Sequence, residues 1–113
     1  RIAKEAAQQS KRDLFPKIDD IISFDDMIEL IKGENIIVPY EEEKNNRIRD
    51  AIKSIKNGRV NLIIGPEGGF AQKEIETLRG IGANTVTLGP RILRTETAGI
   101  VAASILLYEL GDI

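Results

Sequence analysis

The chain has 113 residues, 42% hydrophobic, 30% charged and 4% aromatic, the makeup of one globular domain or a piece of one. It contains no cysteine and no histidine, which excludes disulfides, thiolate metal sites, and the usual zinc ligand and general base. A net charge of −2 gives no global attraction for nucleic acid, so such a partner needs a local basic patch.

The elements follow in chain order. Arg1–Lys11 reads as a helix already under way, with Ile2, Ala3, Ala6 and Ala7 on one stripe. With no opening methionine, the chain reads as a fragment; its start is not a signal peptide, and no apolar run reaches the ~18 residues of a membrane span. Pro16 ends this helix by biasing Phe15 away from the helical region. Ser23 is an N-cap for a second helix, with Asp25 and Asp26 in its first turn. Phe24, Met27, Ile28 and Ile31 give that helix its apolar face and Gly33 closes it. "NIIVPY", Asn35–Tyr40, is a short buried strand. A third helix is predicted from Lys44 to Asn57, with Ile48, Ala51, Ile52 and Ile55 on one face and Gly58 at its end. "RVNLIIG" is a strand apolar almost throughout, as suits a parallel strand covered on both faces. A helix over Gln72–Arg79, the strand "NTVTLG" and a helix over Glu96–Leu110 complete the chain, the last capped by Thr95 and stopped by Gly111. This alternation predicts an α/β fold with a parallel sheet. Ligands of such sheets sit beyond the carboxyl ends of the strands, here Pro39–Tyr40, Gly65–Gly69 and Gly89–Arg94.

Two of these loops are chemically distinctive. In "GPEGG", Gly65, Gly68 and Gly69 permit positive φ or close backbone approach and Pro66 stiffens the entry, so a plain strand-to-helix turn is one reading. A phosphate cradle fits poorly, because no GKS or GKT follows and Glu67 puts a negative charge where phosphate would lie. An uncharged or cationic ligand fits better. In "LGPRILRTETA", Arg91 and Arg94 stand just before a helix start, where a cation opposes the macrodipole by ~0.3–1 kcal/mol. They are either solvated surface arginines or groups kept for an anionic partner such as RNA. The last helix is apolar all round, which fits a central core helix or one partly covered by a second subunit, with Gly99, Ala102 and Ala103 allowing close approach.

"EAAQQSKRDLFPKI", "IIGPEGGF" followed by "KEIETL", and "LGPRILRTETA" resemble, in that order, the ribosomal small-subunit RNA uridine-N3 methyltransferases (RsmE type) of the SPOUT class. The resemblance runs nearly the whole chain and is thinnest over Ser23–Arg59. It implies an α/β domain with a C-terminal trefoil knot, an exception to the rule against threaded chains. This chain would be the C-terminal portion of that domain, residues 1–113, without the family's N-terminal RNA-binding β-barrel. It implies S-adenosylmethionine as cofactor, small-subunit ribosomal RNA as substrate, pairing of two subunits through the knot and C-terminal helix, no metal, and a cytoplasmic location. Matched residue by residue, it implies cofactor contacts from Ile64, Gly65, Pro66, Glu67, Gly68, Gly69, Leu88, Gly89, Ile92 and Leu93, and from Val38 and Pro39. Arg94 and Glu96 would lie nearest the reacting base, and Gln9, Ser10, Arg12 and Arg91 would face the RNA. Ala71 departs from the pattern, standing where a serine or threonine N-cap is usual.

Methyl transfer from a sulfonium needs no metal, so the missing Cys and His cost nothing. Uridine N3 must lose a proton, and Arg94 is the group to stabilise the resulting anion. Glu96 is either the proton acceptor or a first-turn structural residue. Two rival readings stand beside this one: another SPOUT RNA methyltransferase, for instance of a tRNA ribose, and a noncatalytic ligand-binding or dimerisation module.

Overall fold

In a computed structural model of the chain, the structure describes residues 19–55, 59–89 and 94–111. Helix α1 spans Phe24–Ile31, strand β1 Ile36–Pro39, helix α2 Ile48–Ile52, strand β2 Asn61–Leu62, helix α3 Gln72–Gly80, strand β3 Asn84–Val86 and helix α4 Thr95–Glu109. The three strands form a parallel sheet in the order β2-β1-β3, as the strand–helix alternation predicts. The helix expected at residues 1–11 lies outside the described residues.

Strand β1 is central and its side chains alternate between two cores. Ile36 and Val38 join Ile28 and Ile31 of α1 and Ile75 and Leu78 of α3 on one face. Ile37 faces the other way, with Ile48 and Ala51 of α2, Val86 of β3, and Ala102 and Leu106 of α4. Both faces are therefore covered, as the apolar strands require. The register pairs Ile37 with Leu62 on one side and with Asn84 on the other, and β1 and β3 run on together to the Pro39–Val86 pair, two positions beyond the end of β2.

Several termini follow the local chemistry. The Ser23 hydroxyl accepts from the Asp26 N–H at 3.1 Å, capping α1, and Gly33 (φ 85°) turns the chain out of it. Gly111 (φ 88°) likewise follows the end of α4. Helix α3 starts at Ala71, which offers no side-chain acceptor; the Glu74 carboxylate instead accepts from the Ala71 N–H at 2.8 Å, one arm of a capping box.

Two expectations need correction. The third helix begins at Ile48 rather than Lys44, because the preceding residues are captured by other partners. Glu43 accepts from the N–H groups of Asn45 and Asn46 at 3.2 and 3.1 Å, and Arg47 is extended and bridged to Thr87. A regular helix is described only to Ile52. Thr95 is not the cap of the last helix. Arg94 occupies the N-cap position (φ −66°, ψ 155°) without a side-chain cap bond, because the Ala98 N–H donates to the Arg94 carbonyl at 2.7 Å and closes the first turn one residue earlier.

Candidate functional site

Because the strands are parallel, the loops leaving β1, β2 and β3 meet on one side of the sheet, the place where open α/β sheets bind ligands. A cleft of about 1230 Å³ opens there, room for a nucleoside-sized ligand and part of a second molecule.

The loop after β2 forms the floor. Ile64, Gly65, Pro66, Glu67, Gly68, Gly69 and Phe70 all line the cleft. The Gly69 N–H donates to the Pro66 carbonyl at 2.8 Å, a tight turn that leaves Gly69 at φ 81°. Glu67 is exposed at its tip. Gly65 is demanded by packing rather than by backbone angle: a Cβ there would lie 2.9 Å from Cε2 of the Phe70 ring. The absence of side chains at Gly68 and Gly69 leaves their peptide groups open to the cleft, with nothing within 4 Å of where a Cβ would be.

Thr87, Leu88 and Gly89 after β3 contribute a second side. The Thr87 hydroxyl and the Gly89 backbone are 3.2 Å apart, and Gly89 has φ 115°, which bends the chain over the strand end. Arg94, Thr95, Glu96 and Ala98 at the start of α4 close that side. Helix α4 seats against the floor where Gly99 faces Ile64.

The third wall, Tyr40 to Arg47, is not foreseen from sequence beyond its first residues. Pro39, Tyr40, Glu41, Glu42, Lys44 and Arg47 face the cleft. Backbone bonds hold the wall's ends, from the Tyr40 N–H to the Val86 carbonyl at 2.9 Å and from the Ile48 N–H to the Thr87 carbonyl at 3.4 Å. The Tyr40 hydroxyl donates to Glu42 Oε2 at 2.6 Å, and this bond, with the negative charge of Glu42, holds the phenol above its ordinary pKa. Lys44 Nζ donates to the Glu41 carbonyl at 3.1 Å. The lining thus carries four carboxylates (Glu41, Glu42, Glu67, Glu96) and three cations (Lys44, Arg47, Arg94). Such a mixture suits a ligand with a positive centre next to one with anionic groups, and not a polyphosphate.

Of the residues singled out in the sequence, Pro39, Ile64, Gly65, Pro66, Glu67, Gly68, Gly69, Leu88, Gly89, Arg94 and Glu96 come together in this cleft. Val38 does not: its side chain is wholly buried in the core beneath, because β1 alternates and Val38 falls on the face covered by α1 and α3. Gln9, Ser10, Arg12, Arg91, Ile92 and Leu93 lie outside the described residues. Tyr40 was marked only as a strand's carboxyl end, whereas Glu41, Glu42, Lys44, Arg47, Phe70, Thr87, Thr95 and Ala98 were not picked out as lining residues. Position just beyond a strand's end is the signal that could have found Thr87. Among the described residues no group of three acidic, His or Cys side chains is placed to hold a metal ion, and no helix is long and apolar enough to cross a membrane.

Comparison with known proteins converges on one kind of molecule. The family model described as "RNA methyltransferase domain" matches residues 1–107. The ribosomal RNA small subunit methyltransferase E of Bacillus subtilis is 37% identical over 96% of this chain and 45% of its own length. The protein of the same name from Mesomycoplasma hyopneumoniae is 41% identical over 88% of this chain and 43% of its own. A crystal structure of the Neisseria gonorrhoeae ribosomal RNA small subunit methyltransferase E bound to S-adenosyl methionine superposes with a TM-score of 0.81 at 28% identity, covering 99% of this chain and 46% of that one. The chain therefore spans less than half the length of each of these three relatives.

Proposed function

The chain belongs to the RNA methyltransferase domain family, and from that membership we propose that it forms part of an enzyme that methylates N3 of a uridine in small-subunit ribosomal RNA. The observation that carries this reading is the convergence of the "GPEGG" floor, the Leu88–Gly89 bend and the Arg94–Glu96 helix start on one cleft. The cofactor would be S-adenosylmethionine, as in the structural neighbour described above. The residues present fit it. Glycine-rich backbone lines the floor, and the carboxylates suit its sulfonium and ammonium charges without a cradle for phosphate.

Bound there, S-adenosylmethionine supplies a methyl group on a positively charged sulfur. The floor residues Ile64 to Gly69 and the bend at Leu88 and Gly89 bind and orient the donor, and Pro39 fixes the end of the third wall. Arg94, exposed at the mouth of the cleft, stabilises negative charge on the deprotonated uridine N3, the electrostatic role of a positioned cation. Glu96, in the first turn of the same helix, takes the proton. The domain would carry the C-terminal trefoil knot of the wider fold class. Gln9, Ser10, Arg12 and Arg91 would face the RNA, with Ile92 and Leu93 on the cofactor side. A second subunit would cover the outer face of α4, where Ile100 and Tyr108 are each 69% exposed. We place the enzyme in the cytoplasm, with its substrate.

The decisive experiment incubates the full-length protein with small-subunit ribosomal RNA and S-adenosylmethionine and maps methylated positions by mass spectrometry. A single N3-methyluridine is expected. Methylation of a ribose or of tRNA would transfer the reading to another branch of the fold class. A folded protein that gives no calorimetric heat with S-adenosylmethionine would mean a noncatalytic module.

A further inference from the structure

Three consecutive glutamates, Glu41, Glu42 and Glu43, open the third wall, and their environments differ sharply. Glu41 and Glu42 are exposed, whereas the Glu43 side chain is 14% exposed and turned away from the cleft lining. Both of its oxygens are used. Oε2 accepts from the backbone N–H groups of Asn45 and Asn46 at 3.2 and 3.1 Å. Oε1 accepts from the Thr85 hydroxyl at 2.8 Å and from Arg79 Nη2 at 3.4 Å. Thr85, on β3, is 5% exposed and is the buried polar residue of the core. Its hydroxyl also accepts from Arg79 Nε and Nη2, and its carbonyl accepts from Asn46 Nδ2 at 2.9 Å. Arg79, on α3, lies 5.7 Å from the centre of the Tyr40 ring, so the same cation touches the first residue of the wall. The Thr85 hydroxyl, foremost, and the two backbone donors hold the Glu43 carboxyl below its ordinary pKa.

We infer that Glu43, anchored on Thr85, is a positioning residue: it sets the shape of the Tyr40–Arg47 wall and so the affinity of the cleft for its cofactor. A half-buried carboxylate that folds the following backbone around itself is far stiffer than a solvated loop. The residues it holds in place, Tyr40 on one side and Lys44 and Arg47 on the other, are those whose side chains face the cleft. The identity of the ligand rests on the function proposed above; the latch itself does not.

Three substitutions in the full-length protein test this. Thr85→Val keeps the shape and removes the hydroxyl, Thr85→Ser keeps the hydroxyl, and Glu43→Gln keeps the size but leaves one acceptor oxygen where two are needed. Amide hydrogen exchange over residues 41–47 and calorimetric affinity for S-adenosylmethionine are measured for each. Glu43→Gln and Thr85→Val should quicken exchange in that segment and weaken cofactor binding by about tenfold, the scale of one lost charged hydrogen bond. Turnover at saturating cofactor should stay within about twofold, a split between binding and chemistry that general loss of stability would not produce. Thr85→Ser should restore both exchange and affinity. Unchanged exchange in Glu43→Gln and Thr85→Val overturns the latch. Quickened exchange with unchanged affinity overturns its control of the cleft. A wild-type protein that binds no S-adenosylmethionine refutes the cofactor assignment instead, and quickened exchange in the variants then still upholds the latch.

Discussion

Adding one methyl group at Gly65 tests how the cleft floor is packed. An ideal Cβ there would stand 2.9, 3.0 and 3.2 Å from Cε2, Cδ2 and Cζ of Phe70, against a comfortable carbon–carbon separation of about 3.5–4.0 Å. The ring would have to withdraw by roughly half an ångström or more. Phe70 is packed against the core of Ile28, Ile31, Ile36, Val38, Ile75 and Leu78, so withdrawal presses on side chains with little free volume. Overpacking of this kind costs about 1–3 kcal/mol. Gly65 is not among the positive-φ glycines, so alanine strains no backbone and recovers about 0.4–1 kcal/mol of unfolded-state entropy. The expected net loss is about 1–2 kcal/mol. Gly68→Ala is the matched control, having nothing within 4 Å of the added Cβ, and should be neutral or slightly stabilising. Urea unfolding of the full-length variants gives the comparison as a shift in midpoint at constant slope. Adding Phe70→Leu to Gly65→Ala should give a double variant about 1 kcal/mol more stable than the sum of the single losses. Equal stability of the Gly65 and Gly68 variants, or strict additivity in the double variant, would refute the packing account.

Other consequences can be checked in parallel. Arg94→Ala should lower turnover by roughly 100-fold or more while leaving cofactor affinity within a few-fold; unchanged turnover removes Arg94 from the chemistry. Glu96→Gln should slow turnover by at least about tenfold if Glu96 takes the proton, whereas a loss confined to stability would assign it to the helix start. Ala71→Ser adds the missing acceptor at the start of α3 and should raise stability by about 0.5–1 kcal/mol in urea unfolding. Since the Glu43 carboxyl is held below its ordinary pKa, its contribution to stability is full above the unfolded value of about 4.3 and is lost as pH falls through the depressed folded value. Glu43→Gln should therefore flatten the acid limb of the stability–pH curve, and an unaltered limb would show that other carboxylates dominate it.

Much of this architecture was legible in residue pattern. Ser23, Gly33 and Gly111 mark helix ends by local chemistry that tertiary contacts do not override. The apolar stretches before Gly65 and Gly89 mark two strands, although these end three residues earlier, at Leu62 and Val86, and the loops that follow them form two sides of the cleft. The Tyr40–Arg47 wall was hidden because the helical period of Ile48, Ala51 and Ile52 was extended upstream into residues that carry no apolar period. What organises those residues is a long-range bond from Glu43 to Thr85, 42 positions away, which no local pattern encodes. A partial clue was present: a threonine within an apolar strand is buried, and a buried hydroxyl needs a partner. Thr95 misled as a cap because side-chain preference favours it, while the turn closed one residue earlier on the Arg94 carbonyl.

The boundary between the cores and the cleft is one peptide wide. Val38 is fully buried and Pro39 lines the cleft; Val86 is fully buried and Thr87 lines it. Residues of the cores and residues of the cleft lining are thus neighbours along the chain, and Tyr40, Phe70 and Leu88 belong to both. For evolution this arrangement is partly permissive. Sequence can drift at the exposed lining positions, such as Glu41, Glu42 and Glu67, without drawing on the stability held by the inward side. Besides the Gly65–Phe70 packing of the floor, the Glu43–Thr85 contact curtails that freedom, since it ties a cleft wall to a buried strand. Lineages that change what this cleft accepts would have to renegotiate that pair together rather than one residue at a time.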